Sequence, residues 1–214
     1  MYIDIERTYK DRIEAIWDRQ ITSHPDTLNK DIVRLRYAVE RQLKKGDVIF
    51  IGMNPSYTPG ERNNNGGGFY DIEPKNNFFR AITAFCESIN GIDFISHHDI
   101  LYVRHTNQKD VEILMQDNDF AQFFKEQLDL SCEIIREATP KLIVVLNAGV
   151  REIFQKQMFP SDYDSNYDDK LGAHIIDIGN KVPVIFSGML SGQRAIDLGT
   201  KQTLRWNIQR IINQ

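Results

Sequence analysis

The sequence predicts an α/β fold: a three-layer α/β/α sandwich on a mostly parallel central sheet of about four strands. Three observations carry this expectation. Short apolar runs at 48–51, 142–146 and 182–186 read as strands buried on both faces. Between them lie longer stretches whose apolar residues recur at helical spacing, and strands that alternate with helices form parallel sheets. Each run then leaves through a glycine or a polar residue, and ligands of open α/β sheets bind at such carboxyl ends.

The elements follow in order. Residues 4–20 carry Ile5, Tyr9, Ile13, Ile16 and Trp17 at helical spacing amid charge, which predicts an amphipathic helix. Ser23-His24-Pro25-Asp26 breaks it. A second helix is expected over 27–44, with Leu28, Ile32, Leu35, Val39 and Leu43 as its stripe and Lys44-Lys45-Gly46 as its stop. Residues 1–45 thus form an N-terminal helical segment, packed on or appended to a core of 46–214. The first strand is 48–52. Residues 56–75 show no periodicity, and a loop of that length is functional or disordered. A helix over 76–90 turns Phe78, Phe79, Ile82, Phe85 and Ile89 inward. The second strand is placed at 99–103. A long helix at 118–138 presents Phe120, Phe124, Leu128, Cys132 and Ile135. The third strand, 142–146, precedes a helix at 149–158 and an acidic loop at 160–170. The fourth strand, 182–186, ends at Ser187-Gly188, and a last helix covers 200–212.

Composition narrows the function classes. The chain has 214 residues, 26 Lys and Arg against 30 Asp and Glu, and a net charge of −4. That balance argues against coating nucleic acid non-specifically, while leaving room for a local basic strip from Arg62, Lys75, Arg80, Lys109, Arg194, Lys201 and Arg205. No apolar run approaches the ~18 residues of a membrane span. The first residues lack a signal-peptide pattern, so the expected location is cytoplasmic. Cys86 and Cys132 have neither CxxC nor metal-site spacing and read as buried thiols. His97-His98-Asp99 invites a catalytic-cluster or metal reading, but neighbours on an extended segment point to opposite faces and no third ligand has matching spacing. No metal or other cofactor is expected. His174 reads as structural, and His105 as a polar contact near the strand ends.

The most informative stretch is Ile51-Gly52-Met53-Asn54-Pro55-Ser56. Pro55 holds Asn54 extended at the strand end, where its amide can both donate and accept. A tight turn is the plain alternative. Two further strand-end segments converge with it: Arg104-His105-Thr106-Asn107 and Gly188-Met189-Leu190-Ser191-Gly192-Gln193-Arg194.

Together these segments resemble the uracil-DNA glycosylase superfamily, most nearly its mismatch-specific uracil/thymine branch. The branch has an apolar strand and a Gly-x-Asn-Pro-Gly type motif, matched by Gly52-Met53-Asn54-Pro55-Ser56. It then has a Pro-x-Asn-x-Phe-aromatic run, matched by Pro74-Lys75-Asn76-Asn77-Phe78-Phe79. The family closes on a His-Pro-Ser or Asn-Pro-Ser motif. Here Met189-Leu190-Ser191 stands in that place, so the polar residue and the proline are absent. The likeness spans 46 to about 210.

The resemblance implies a DNA glycosylase, a hydrolase acting on a flipped uracil or related base in single- or double-stranded DNA, as a monomer. Asn54 would orient the attacking water. Gly52, Met53, Pro55, Ser56, Phe69, Tyr70, Asn76, Asn107, Ser191, Gly192 and Arg194 would contact the substrate. Phe69 or Tyr70 would stack on the base, Asn76 read its edge or cap a helix, and Arg194 grip phosphate, wedge into the duplex or make a surface ion pair. Backbone N–H groups near Met53 and Phe69 would face the base oxygens. An amide does not titrate usefully, so such a site suits activated leaving groups. Two other readings stand beside it: a non-catalytic nucleic-acid or nucleotide binder of the same fold, and an unrelated small-molecule hydrolase or transferase.

Overall fold

A computed structural model describes residues 1–57, 68–73, 77–192 and 195–214. Strand β1 (Tyr2–Asp4) runs into helix α1 (Ile5–Ser23), where the Asp4 side chain accepts from the Arg7 N–H and caps the first turn. A 3₁₀ turn (Pro25–Asn29) and a single helical turn α2 (Asp31–Arg34) follow, then β2 (Ala38–Glu40) and β3 (Gln42–Lys44). The core proper starts with β4 (Val48–Gly52), β5 (Gly68–Tyr70), α3 (Asn77–Cys86) and β6 (Ser96–Asp99). Next come α4 (Gln108–Met115), α5 (Ala121–Ala138), β7 (Leu142–Leu146) and α6 (Ala148–Ile153), which runs on into a π-helical turn (Phe154–Met158). The chain closes with β8 (Tyr167–Asp168), β9 (Ala173–Asp177), β10 (Lys181–Ser187) and α7 (Leu198–Ile212).

Among the described residues the central sheet has six strands in the order β6-β4-β7-β10-β9-β8. The first four are parallel, and β9 and β8 add an antiparallel edge. The expected four strands are therefore two too few. Alternate residues of the central strands divide between two apolar layers. Ile49, Ile51, Ile143, Val145 and Val184 pack with α1, α5 and α6. Val48, Phe50, Leu142, Val144 and Leu146 pack with α3 and α7. This is the three-layer arrangement, with each strand buried on both faces.

Three expectations need correction. Residues 27–44 are not one helix. Arg36 sits at φ 57°, which ends the helical run, and the chain turns extended through β2 and β3. The second strand starts three residues and ends four residues earlier than expected: Ser96–Asp99 makes the ladder with β4, while Ile100 to Val103 is a fully buried continuation. The 160–170 segment, expected as a loop, contains β8.

The N-terminal segment belongs to the larger core. Trp17 is fully buried with its ring 4.9 Å from that of Phe123 on α5. Tyr9 donates to Glu137, and Arg12 pairs with both carboxylate oxygens of Glu133. β1 and β3 pair antiparallel, and residues 38–44 run along the outer edge of β6: the Ala38 N–H donates to the Tyr102 carbonyl and the Lys44 N–H to Ser96 Oγ. Cys86 and Cys132 are buried free thiols, pushed by burial up to about 12 and about 11. Among the described residues no helix is long and apolar enough to cross a membrane.

Candidate functional site

The strand order sets the location. The connection from β4 leads to α3 on one face of the sheet, and that from β7 leads to α6 on the other. Neighbouring strands whose connections part in this way open a crevice at their carboxyl ends. The residues at that edge are Gly52 ending β4 with Met53 and Asn54 after it, Asp99 on β6, Asn147 after β7, and Gly188 and Met189 after β10.

Asn54 is buried and tightly held. Its Nδ2 donates to the carbonyls of His105 at 2.7 Å, Pro55 at 3.1 Å and Val103 at 3.2 Å. Three carbonyl oxygens accept only, so they fix which way the amide faces. The Asn54 Oδ1 is thereby left buried with no hydrogen-bond partner. Backbone contacts beyond the sheet steady this arrangement. The His105 N–H donates to the Pro55 carbonyl, and Thr106 Oγ1 bonds both the N–H and the carbonyl of Tyr57. The Arg104 guanidinium lies over the Tyr57 ring.

A second polar group lies one strand over. Gly52 is in register with Asp99, and Phe50 with His97. His97 is 1% exposed, and neither ring nitrogen has a hydrogen-bond partner. Its Nε2 stands 3.6 Å from Asp99 Oδ1, beyond hydrogen-bond range. The rings of Phe78 and Phe79 pack edge-on against His97, at 5.2 and 5.3 Å between centroids. Burial lowers His97 to about 3, with the neighbouring His98 adding to the shift. Burial, then the charge of Glu40, raises the Asp99 carboxyl well above its usual range. Burial thus favours the neutral form of each group. A side chain at position 52 would displace these groups, because its Cβ would lie 2.2 Å from Asp99 Oδ1 and 2.8 Å from His97 Nε2.

His98 points to the opposite face, as alternation requires, and its Nδ1 forms a short hydrogen bond with Glu40 of β2. Its Nε2 and the Glu40 Oε2 are buried without partners. Tyr70 is in register with Glu40 across the β2–β5 pair, and its ring stacks tilted on Phe79 at 5.9 Å. Burial, then Asp99 and Glu40, holds its phenol well above the ordinary value, so it remains an O–H. Among the described residues no group of three or more His, Cys, Asp or Glu is placed to hold a metal ion.

The remaining sequence-predicted residues fall into three sets. Met53 is buried in the main core and its carbonyl accepts from the Leu101 N–H; Pro55 is half-buried and Ser56 exposed at the mouth. Phe69 packs on Tyr37 at 5.6 Å, as part of the wall beneath β5. Asn107 is an exposed helix cap whose side chain accepts from the Lys109 N–H, and Ser191 and Gly192 form a turn with Gly192 at φ 81°. Asn76 and Arg194, with Pro74, Lys75 and Arg62, lie outside the described residues. In the last loop Leu190 is buried with the α3–α7 layer, and Met189 is tied to the chain beyond by the Ile196 N–H. Of the other strip residues, Arg205 donates to the carbonyls of Ala84 and Phe85 and so finishes α3. His174 packs among Tyr163, Tyr167 and Phe186 with Nδ1 on the Tyr163 carbonyl.

Sequence reasoning missed Glu40 and Asn147, and weighed His97 and Asp99 as a catalytic cluster or metal site without placing them among the substrate contacts. Asn147 stands at φ 91°, ψ 142°, a region almost confined to glycine, with its Nδ2 on Gln108 Oε1 and its Oδ1 accepting from the Gly149 N–H. The available signal was its position, a polar residue directly after the strand run 142–146. Glu40 carried no such signal, since its partner is 58 residues away. Compared with protein-family models and with curated proteins, the chain matches none of either.

Proposed function

We propose that the chain is a DNA glycosylase-like protein that hydrolyses the N-glycosidic bond of a flipped uracil or related base. The observation that carries this is the held Asn54 amide just beyond β4, with its donor side consumed by three carbonyls and its Oδ1 left as a buried, unpartnered acceptor. An acceptor in that state can hold one water by a proton and aim its oxygen. In hydrolysis the C1′–N bond breaks with its electron pair passing to the base. The water oxygen joins C1′, and the proton it loses is returned to the departing base through solvent. Charge develops on sugar and base in opposite senses. Asn54 supplies position rather than proton abstraction, which suits a base that leaves readily.

Met189 and Leu190 favour a second reading, a nucleic-acid binder without turnover. Leu190 is packed in an apolar layer and neither residue carries a polar group toward the base. One experiment separates the two. Labelled uracil-containing DNA, single- and double-stranded, is incubated with wild type and Asn54→Ala and then treated with alkali. Breaks with wild type alone support hydrolysis by this site. Salt-sensitive binding without breaks supports the binder, and neither breaks nor binding refutes both.

A further inference from the structure

The paired groups at the β4–β6 edge have no role in holding the fold that their contacts explain. His97 is buried with both ring nitrogens unpartnered. Asp99, 9% exposed at its side chain, comes no nearer than 3.6 Å to the His97 imidazole. Native proteins leave few buried polar groups unpaired, and the His97 imidazole beside the Asp99 carboxyl therefore asks for a ligand, a water or a chemical role. These two are also given room: position 52 is glycine, and any side chain there would occupy the space that the Asp99 carboxyl takes. Phe78, Phe79 and Tyr70 supply flat apolar walls around them. Gly52, which is in register with Asp99, lies two residues before Asn54 at the end of β4, so the pair and the Asn54 amide share the carboxyl edge of two neighbouring strands.

Resting on the glycosylase-like reading above, we propose that the Asp99 carboxyl and the His97 imidazole are the base-binding pair of this site. They supply from β6 the polar contact that the Met189-Leu190 loop lacks. A neutral carboxyl presents an O–H donor beside a C=O acceptor, the complement of a ring N–H beside a carbonyl. Uracil offers that edge. An amino group beside a ring nitrogen satisfies the same pair, so Asp99 fixes the orientation of the base and leaves the choice of lesion to the remaining walls. An ionised Asp99 only accepts, and loses half of the match. The titratable groups that act on Asp99 are His97 on its own strand and face, Tyr70 from β5, and Glu40 of β2, whose charge reaches it from the His98 side. Glu40 opposes ionisation of Asp99, and His97 is neutral and does not promote it.

The test is affinity for two oligonucleotides across pH 5.5–9. One carries 2′-fluoro-deoxyuridine, whose electron-withdrawing fluorine blocks cleavage, and the other an abasic analogue at the same position. Their affinity ratio reports recognition of the base alone. For wild type the ratio should fall as pH rises and Asp99 loses its proton. Asp99→Ala should lower it about 10- to 100-fold at pH 5.5, the scale of one paired donor–acceptor contact. Asp99→Asn keeps a donor and an acceptor, and should hold the ratio constant with pH. His97→Gln should lower it less. Thermal unfolding of each variant separates lost recognition from lost folding. A ratio that Asp99→Ala leaves unchanged overturns the pair while the Asn54 reading survives on its cleavage assay. A preference for uracil without cleavage upholds the pair and removes the catalytic claim. No preference in folded wild type overturns both.

Discussion

Gly52→Ala puts the close approach of β4 and β6 to a direct test. The added Cβ would stand 2.2 Å from Asp99 Oδ1 and 2.8 Å from His97 Nε2, against an ordinary contact of ~3.5 Å. The overlap with Asp99 is thus about 1.3 Å. The strand cannot withdraw, since β4 is hydrogen-bonded to β6 on one side and β7 on the other. Asp99 and His97 must yield inside a buried layer. Neither ring nitrogen of His97 has a hydrogen bond to lose, so the cost is that of overpacking, about 1–3 kcal/mol. For a chain of this length that lowers Tm by about 3–10 °C. The assay is urea and thermal unfolding of wild type, Gly52→Ala, Asp99→Ala and the double variant. Trimming Asp99 removes the worse overlap, so alanine at 52 should cost at least ~1 kcal/mol less in that background. An equal cost in both backgrounds, or a single-variant cost below ~0.5 kcal/mol, would refute the geometry.

Three other expectations are as direct. Asn54→Asp sets a carboxylate against three carbonyl oxygens, which raises its folded pKa. The variant should therefore be less stable than Asn54→Ala at pH 8 and recover as pH falls, and urea midpoints that stay parallel with pH would contradict this. His97 is lowered from 6.5 to about 3, so the stability tied to its neutral form is complete above pH 6.5 and is lost as pH falls toward 3, at roughly 1.4 kcal/mol per unit. Asp99 works in the other direction, since a raised acid loses stability as pH climbs above its unfolded value. His97→Gln should consequently lose less stability than wild type between pH 7 and pH 4.5, as read by chemical unfolding at each pH. Trp17→Ala removes a fully buried ring and should cost about 3–5 kcal/mol in one cooperative transition. A separate early transition for residues 1–45 would show that the segment is not part of the core.

Strands β4, β7 and β10 were legible because their runs are apolar on both faces, and helices α1, α5 and α7 because their stripes are long. The 27–44 segment misled for a geometrical reason. Val39 and Leu43 are four apart, a spacing that places residues on one face of a helix and of a strand alike. The left-handed turn at Arg36 that ends the helix uses no glycine to announce it. The shift of the second strand has a related cause. Ile100 to Val103 looks like a strand and is as buried as one. The ladder itself uses Ser96, His97, His98 and Asp99, polar residues that can be buried there because the aromatic rings of α3 cover one face and Glu40 meets the other. At the site, Asn54 stood out through Pro55 and the strand before it. Its neighbours Glu40, His97 and Asp99 became a group only through register across three strands, which no local pattern displays.

The tie between α1 and α5 also has a meaning in time. Tyr9 and its partner Glu137 are 128 residues apart. At about 5–20 residues per second of synthesis, the first helix waits roughly 6–26 s for the surface that covers it. Throughout that interval Ile13, Ile16 and Trp17, all buried at the end, have no α5 to pack against. The nascent chain therefore carries an amphipathic helix with an uncovered apolar stripe while about three-fifths of the protein is being made. That is the interval in which a chaperone, or a neighbouring copy of the same helix, competes with the fold.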